Sequence, residues 1–235
     1  MTNYQLQKTS IWSFPDRGSW ATHKGDYRGN WSPHIPRNLI LNYTKPNDII
    51  LDIFAGSGTT LIESKLLNRH AIGIDINPEA IKICQQRLNF NSQSQIKLLN
   101  QNSMDLSNIP DSSIDFICTH PPYADIIRYS NLQNDLSLLN YPDFLDKFSV
   151  IASELFRVLK KGHYCSYMIG DIRKKGNVIP LGFYSMQRFI EVGFTIKEII
   201  IKEQHNCKGT QYWKNKSDKL NFYLLAHEYI FVFVK

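Results

Sequence analysis

Apolar and polar residues follow two alternating patterns along the chain. Short apolar runs, such as residues 48–54, are typical of the buried strands of a parallel sheet. Between such runs lie longer segments in which apolar residues recur every three or four positions. The clearest of these predicts an amphipathic helix whose apolar face carries Phe144, Phe148, Ile151, Leu155 and Val158. Strands that alternate with helices predict an α/β protein with a doubly wound, mostly parallel sheet.

The same patterns give approximate bounds for each element. Strands are predicted at residues 48–54, 71–75, 96–99, 114–119, 164–169, 194–201 and 222–234. Helices are predicted at residues 36–43, 59–68, 78–91, 144–158 and 180–192, with Gly162 and Gly193 expected to end the last two. The final two strands are close in sequence, and their connection shows no clear helix. They are therefore expected to form an antiparallel pair at the edge of the sheet.

Size and composition exclude several classes of protein. A chain of 235 residues that is 43% hydrophobic can bury one core, so residues 1–235 are expected to form one domain with an N-terminal arm over 1–35. No apolar stretch is long enough to cross a bilayer, and residues 1–10 lack the apolar core of a secretory signal. Four cysteines without a C-x-x-C pair favour a reduced, cytoplasmic protein over a zinc site or a disulfide framework. Of Cys84, Cys118, Cys165 and Cys207, the first three are expected to be apolar core residues.

The charge distribution is compatible with a polyanionic partner. The net charge is +6 and the isoelectric point is near 9.0. Arg173, Lys174 and Lys175 form one basic cluster. A looser group is interleaved with Tyr212 and Trp213, and it consists of Lys202, Lys208, Lys214, Lys216 and Lys219. Basic residues mixed with aromatic ones suit phosphate contact and base stacking, although an ordinary solvated surface has the same composition.

The loop after the first predicted strand is a candidate ligand site. It comprises residues 52–58, Asp-Ile-Phe-Ala-Gly-Ser-Gly, and ligands of open parallel sheets bind beyond the carboxyl ends of the strands. Its glycines allow a tight turn and a close approach of the backbone to a ligand. It lacks the third glycine of the dinucleotide fingerprint and the G-K-[ST] of nucleotide-phosphate loops. Asp52 is placed to meet the ammonium group of an amino-acid moiety.

Two further acids follow the next two predicted strands. Asp75 ends the second strand, where an acid can accept hydrogen bonds from both ribose hydroxyls of an adenosine-bearing cofactor. This interpretation is favoured over the alternative that Asp75 complements the dipole of the helix that begins near Pro78. Asp105, after the third strand, is placed either to reach an adenine amino group or to serve as an ordinary loop residue.

The loop after the fourth predicted strand carries the candidate catalytic residues. Its sequence over residues 119–123 is Thr-His-Pro-Pro-Tyr. Adjacent prolines stiffen the backbone and remove N–H donors, and the tyrosine offers a face on which a base can stack. An aryl amine is a poor nucleophile because its lone pair is conjugated with the ring. A proline carbonyl and a side-chain acceptor one residue earlier can accept both amino protons and favour the pyramidal, nucleophilic nitrogen.

At these residues the chain resembles the amino-methyltransferases of DNA, the cytosine-N4 and adenine-N6 enzymes. Residues 51–60 and 73–78 resemble the cofactor motifs of that family, 119–123 its catalytic motif, and 27–36 the segment that contacts the methionine part of the cofactor. The resemblance implies a seven-stranded sheet, S-adenosylmethionine as methyl donor, and a target base flipped out of double-stranded DNA. The catalytic residues it implies are Thr119, His120, Pro121, Pro122 and Tyr123. The cofactor-binding residues are Asn30, Trp31, Asp52, Phe54, Ala55, Gly56, Ser57, Gly58, Thr59, Thr60, Asp75, Ile76 and Asp105.

The chain departs from the family pattern in three ways. First, His120 stands where the family usually has Asp, Asn or Ser. A neutral imidazole can accept a hydrogen bond and a protonated one cannot. Activity is therefore expected to fall below about pH 6.5, the ordinary pKa of histidine. Thr119 before it is more typical of the cytosine-N4 enzymes, which are therefore slightly favoured. The cofactor loop precedes the Pro-Pro-Tyr motif, whereas many relatives with a Phe-Ala-Gly-Ser-Gly loop have the reverse order. No long target-recognition domain is visible, so recognition is expected from insertions at 124–140, 171–179 and 203–221.

Some assignments stay open at this stage. Asp171 is placed either to line the site or to make a turn with Arg173, and the aromatic residues of 205–213 either stack on DNA or pack within their loop. A restriction endonuclease encoded separately is a candidate partner, and the oligomeric state is undetermined. The alternatives in function are an RNA amino-methyltransferase and a catalytically inactive nucleic-acid-binding module. Protein glutamine methylation is disfavoured because that resemblance requires Asn at position 120.

Overall fold

A computed structural model describes residues 4–205 and 210–235 of the chain. The strands are β1 (Ile11–Trp12), β2 (Ile49–Asp52), β3 (His70–Asp75), β4 (Ile96–Asn100), β5 (Ile114–Thr119), β6 (Leu159–Ile169), β7 (Ile172–Lys174), β8 (Asn177–Ile179), β9 (Thr195–Glu203) and β10 (His227–Val234). The α-helices are α1 (His34–Tyr43), α2 (Thr59–Leu66), α3 (Pro78–Arg87), α4 (Tyr141–Val158), α5 (Leu181–Val192) and α6 (Thr210–Leu220). Short 3₁₀ turns lie at Ala124–Ile126 and Leu136–Leu138.

Eight of the strands form one twisted sheet in the order β1-β9-β10-β6-β5-β2-β3-β4. The neighbours pair in parallel except at β10, which is antiparallel to both β9 and β6. Strands β7 and β8 form a separate antiparallel hairpin. The predicted α/β class, with a mostly parallel sheet and an antiparallel pair toward one edge, is confirmed.

Helices cover both faces of the sheet, as a doubly wound fold requires. Neighbouring residues of β5 enter opposite layers: Ile117 packs with α4 and α5, while Phe116 and Cys118 pack with α1, α2 and α3. Every residue of β5 is buried, including Asp115, and this explains why its apolar residues lie on both faces of the sheet rather than on one. The cysteines at 84, 118 and 165 are buried, as predicted, and Cys207 lies outside the described residues. Among the described residues, no helix is long and apolar enough to cross a membrane.

The N-terminal arm contributes a strand that the sequence pattern did not predict. Ile11 and Trp12 pair in parallel with Ile201 and Lys202 of β9, so the sheet has eight strands rather than seven. Two residues are too few for periodicity to indicate a strand, and their pairing depends on a partner almost two hundred residues away.

Two other sequence predictions are corrected. Helix α4 ends at Val158, and the chain becomes extended at Leu159, which pairs with Ile114; Gly162 therefore lies inside β6 and does not end the helix. By contrast, Gly193 does end α5, with a left-handed φ of 118°. The connection between β9 and β10 contains α6, a helix without a buried face, and this is why its sequence showed no amphipathic pattern.

A buried carboxylate fastens the arm to the helical layer. Glu63 of α2 is fully buried and accepts hydrogen bonds from the indole of Trp20, the imidazole of His23 and the guanidinium of Arg37, each at 2.7 Å. Trp20 and His23 belong to the arm and Arg37 to α1. The next part of the arm, Tyr27 to Trp31, is thereby held beside the carboxyl end of the sheet.

Candidate functional site

The ends of two central strands meet at a buried hydrogen bond. Strands β2 and β5 are neighbours, and they end at Asp52 and Thr119. The Thr119 hydroxyl donates to Asp52 Oδ1 at 2.7 Å, and the Phe54 N–H donates to the same oxygen at 3.0 Å. Burial raises the pKa of Asp52 to about 6, although these hydrogen bonds oppose the shift. The first candidate cofactor residue and the first candidate catalytic residue are therefore in direct contact.

The glycine loop after β2 holds the acid at the end of β3. Gly56 has a left-handed φ of 50°, and its N–H donates to Asp75 Oδ2 at 2.8 Å. The Asn77 N–H donates to the other oxygen, also at 2.8 Å. Burial raises the pKa of Asp75 despite these bonds. Gly58 serves packing instead, because a Cβ there would lie 2.6 Å from the sulfur of Cys84 on α3.

A cavity of about 790 Å³, counted to its open mouth, lies over these two loops. Ten of the predicted cofactor residues line it: Asn30, Trp31, Asp52, Phe54, Ala55, Gly56, Ser57, Thr59, Asp75 and Ile76. Gly58 and Thr60 do not line it, and Asp105 lies outside it as an exposed residue that accepts the Ser107 N–H. Asn102 and Ser103 line the cavity in place of Asp105.

Acidic and aromatic side chains together line the cavity. Three largely buried carboxylates line it, from Asp52, Asp75 and Asp135, and so do the rings of Tyr27 and Tyr129. Burial and the nearby Asp75 raise the pKa of Tyr27, and burial raises the pKa of Tyr129 to about 12, so both phenols stay neutral. Such an arrangement suits a ligand that carries positive charge next to polar hydroxyl groups.

Part of the segment assigned to DNA recognition closes this cavity. From residues 124–140, the side chains of Tyr129, Asn134, Asp135 and Leu136 line it. The segment packs closely on the arm, because a Cβ on Gly29 would lie 1.9 Å from the Tyr129 hydroxyl. Gly29 belongs to the 27–36 segment that was predicted to contact the cofactor, but no local pattern indicated that Tyr129 would contact Gly29.

A second cavity adjoins the first and opens toward the other side of the catalytic loop. It shares Gly29, Asn30, Trp31, His120 and Tyr129 with the first. The two prolines divide the space, since Pro121 lines the second cavity and Pro122 the first. Tyr123 and the predicted candidate Asp171 also line the second cavity, and Asp171 accepts the Gly182 N–H at the start of α5. Four of the five predicted catalytic residues therefore line one or both cavities, and the fifth, Thr119, is buried and contacts Asp52.

His120 occupies that junction. Its ring stacks on Trp31, with 5.3 Å between centroids and 15° between planes. Burial lowers the pKa of His120 to about 4; Glu228 opposes that shift and Lys202 adds to it. The imidazole is therefore neutral well below pH 6.5, and the ordinary histidine pKa on which the predicted fall in activity was based does not apply to His120.

A buried polar chain runs from His120 to β9. The Nε2 atom of His120 lies 2.9 Å from the Tyr123 hydroxyl. That hydroxyl donates to Glu228 Oε1 at 2.6 Å, and the Lys202 ammonium donates to Glu228 Oε2 at 3.0 Å. Sequence reasoning missed Glu228, whose only signal is an acid among the apolar residues of the last strand. It also treated Lys202 as part of a basic surface, whereas the structure buries it in an ion pair.

The predicted basic clusters are only partly available to a partner. Arg173 bonds to the backbone oxygens of Gly176 and Tyr223, and Lys174 pairs with Asp125. On α6, the Lys216 ammonium lies over the rings of Tyr212 and Trp213, at 4.7 and 5.3 Å from their centroids. Both rings are about half exposed. Lys175 and the α6 lysines at 214 and 219 are exposed, and Lys208 lies outside the described residues.

Comparison with known proteins identifies the family. A "DNA methylase" family model matches residues 2–86 and 114–235, and a general methyltransferase-domain model matches residues 50–134. The chain is similar to the Type II methyltransferase M2.MboI of Moraxella bovis, with 36% identity over 36% of this chain and 31% of the relative. It is also similar to a tRNA (guanine(10)-N2)-dimethyltransferase of Methanothermobacter thermautotrophicus, with 32% identity over 51% of this chain and 34% of the relative. Each match thus spans about a third of the curated relative's length.

Solved structures support the fold. An S-adenosylmethionine-dependent methyltransferase from Methanosarcina mazei superposes with a TM-score of 0.59 and 21% identity, over 84% of this chain and 96% of the other. The family model covers most of the chain and includes both the glycine loop and the Thr-His-Pro-Pro-Tyr loop. The chain therefore belongs to the DNA methylase family.

Proposed function

We propose that the protein transfers a methyl group from S-adenosylmethionine to the exocyclic amino group of a base in DNA, with cytosine-N4 slightly favoured over adenine-N6. The observation that carries the proposal is the junction of two cavities at His120, directly beside the Asp52–Thr119 hydrogen bond. One cavity has the acidic lining that a cationic cofactor requires. The other presents the Pro-Pro-Tyr loop, whose carbonyls and ring suit an aryl amine.

The first cavity fits the cofactor that the methyltransferase-domain match indicates. Asp52 would meet its ammonium group, and Asp75 would accept hydrogen bonds from its ribose hydroxyls. The aromatic side chains of Tyr27, Trp31 and Tyr129 would pack on its apolar parts. When bound, S-adenosylmethionine supplies a methyl group that its sulfonium already activates.

The second cavity supports the acceptance of a base extruded from the duplex. The Pro121 carbonyl and the His120 imidazole would accept the two amino protons, which favours a pyramidal nitrogen with an available lone pair. Alignment of this nitrogen with the methyl group supplies much of the rate. A strong general base is not required, because the proton can leave for water after the transfer.

Duplex recognition would come from the segments around the cavity mouths. The hairpin tip at Lys175 and the α6 residues Tyr212, Trp213, Lys214 and Lys219 are exposed and offer cationic and stacking groups. A restriction endonuclease encoded separately is the partner class that the Type II relatives suggest.

The test is incubation of the purified protein with tritiated S-adenosylmethionine and either genomic DNA or bulk RNA, followed by mass spectrometry of the nucleosides. The expected product is N4-methylcytosine or N6-methyladenine in DNA. An Asp52→Asn variant is the matched control, because it should keep the fold and lose the cofactor.

Similarity to the tRNA dimethyltransferase makes RNA methylation the second candidate. Label in RNA alone would establish that alternative. Cofactor binding without label in either polymer would contradict methyl transfer to nucleic acid and favour an inactive binding module.

A further inference from the structure

The polar chain behind His120 is built from distant parts of the sequence. Glu228 lies on β10 opposite Lys202 of β9, and Tyr123 reaches it from the loop after β5. Gly170, just beyond β6, makes this approach possible, because a Cβ there would lie 3.0 Å from the Tyr123 ring and 3.5 Å from Glu228 Cγ. All four side chains of this polar chain, from His120, Tyr123, Glu228 and Lys202, line the second cavity.

The charge state of Glu228 fixes the direction of every hydrogen bond in this chain. Burial alone would raise its pKa, but the Lys202 ammonium and the Tyr123 hydrogen bond outweigh burial and hold the pKa below its ordinary value. Glu228 is therefore an ionised acceptor. The Tyr123 hydroxyl has a single proton and donates it to the carboxylate, since a charge-assisted bond of 2.6 Å is stronger than a neutral one.

His120 must then donate to Tyr123. The phenol oxygen has used its proton, so the contact of 2.9 Å requires a proton on Nε2 of the imidazole. A neutral imidazole carries one N–H, which leaves Nδ1 with a lone pair. No described residue hydrogen-bonds to Nδ1.

We propose that Glu228 is a positioning residue that acts through Tyr123 to hold His120 as the Nε2–H tautomer, so that Nδ1 accepts a proton of the substrate amino group. The assignment rests on the proposed function and deepens it. An imidazole with its proton on Nδ1 would meet the amino group donor to donor. The family's usual Asp, Asn or Ser at this position has an acceptor oxygen in any case, and a histidine has one only when its tautomer is fixed.

The first test is nitrogen-15 NMR of the histidine side chains, which reports the tautomer without any need for turnover. His120 is assigned by its loss in a His120→Asn variant. The wild-type protein should show the Nε2–H form, and the Nδ1–H fraction should rise in Glu228→Gln and Tyr123→Phe. A wild-type His120 in the Nδ1–H form, or a tautomer that neither variant alters, would overturn the proposal.

The second test separates kcat from binding. In both variants kcat should fall by roughly 10- to 100-fold, as for other residues that orient a site group, while the cofactor Kd stays unchanged. Unchanged kcat in a folded Glu228→Gln protein would also overturn the proposal. Glu154→Gln is the control. Glu154 lines neither cavity, and its carboxylate accepts hydrogen bonds from Arg157 and from the Leu106 N–H. This substitution should therefore lower stability without changing the tautomer of His120. If the wild type transfers no methyl group, the proposed function fails, and the NMR result still decides the tautomer.

Discussion

Two buried glutamates hold the molecule together in different ways. Glu63 accepts hydrogen bonds from Trp20, His23 and Arg37, and none of these three lines the cofactor cavity. Glu228 accepts from Tyr123 and Lys202, and its chain continues to an imidazole at the junction of both cavities. The first cluster joins the arm to two helices. The second joins two strands to the catalytic loop.

The difference shows how to separate a structural carboxylate from a positioning one. Burial and complete hydrogen bonding are common to both, because a buried charge without partners is very costly. What distinguishes Glu228 is that its chain of partners ends on an atom that can still accept a hydrogen bond from a ligand. Loss of Glu63 should therefore appear mainly in stability, and loss of Glu228 mainly in rate.

The largest effect is expected when the structural cluster is broken. Glu63→Ala leaves the guanidinium of Arg37 and two ring N–H groups without their acceptor in a buried site. We expect the free energy of unfolding to fall by about 3–5 kcal/mol, measured by urea denaturation. Arg188→Ala is the control, since its ion pairs are exposed and should contribute little. A loss below that of the control would mean that the arm is not held by this cluster.

The next effect concerns the end of the other cluster. His120→Ala removes the proposed acceptor and the ring that stacks on Trp31. We expect kcat to fall by roughly 10²- to 10³-fold, the usual loss when one preorganised hydrogen-bonding group of a transition state is removed. His163→Ala, on the exposed part of β6, should leave kcat unchanged. Wild-type kcat in a folded His120→Ala protein would exclude His120 from the reaction.

Local apolar patterns predicted the interior of the fold well. The bounds of β5 were predicted without error because all six of its residues are buried, so the pattern reports burial directly. Gly193 was predicted correctly because a left-handed φ after a helix has few alternatives to glycine. Gly162 has the same φ preference, but its role depends on Leu159 joining the sheet, and pairing with Ile114 is a tertiary fact.

The candidate site was predictable where one loop carries its chemistry and not where distant segments meet. The residues of 52–59 and 119–123 follow directly from strand ends. Glu228 contacts Tyr123 across 105 positions, and no local pattern encodes that distance. The position of Asp105 depended on the exact turn of its loop, which places Asn102 and Ser103 at the cavity instead.

The arm connects the structural cluster to the cofactor cavity, and Gly29 tests that link. Its φ is 80°, and a Cβ would overlap the Tyr129 hydroxyl at 1.9 Å. Gly176→Ala is a matched control, with φ of 85° and no atom within 4 Å of its Cβ. Both variants incur the backbone strain, but only Gly29→Ala overpacks the cavity wall. We expect the cofactor Kd, measured by calorimetry, to rise roughly tenfold, or about 1.4 kcal/mol, which lies within the usual cost of overpacking. Equal Kd values in the two variants would show that Tyr129 does not close the cavity.

The smallest effect concerns Asp52, a buried carboxylate that, unlike Glu228, forms no ion pair with any described residue. Burial raises its pKa to about 6, so it loses its charge as the pH falls through that value, while Glu228 remains ionised. If the charge of Asp52 holds a cationic cofactor, Kd should rise about tenfold per pH unit below pH 6. The pKa of Asp52 is higher in the folded state than in the unfolded chain, so the folded state binds this proton more tightly. As the pH falls from about 6 toward the ordinary pKa of an aspartate, protonation of Asp52 therefore increases the stability of the fold. Weaker binding together with a fold that is no less stable would separate loss of ligand charge from unfolding. In Asp52→Asn the cofactor Kd should be high and should depend less on pH. A wild-type Kd that stays constant down to pH 5 would remove Asp52 from the cofactor site.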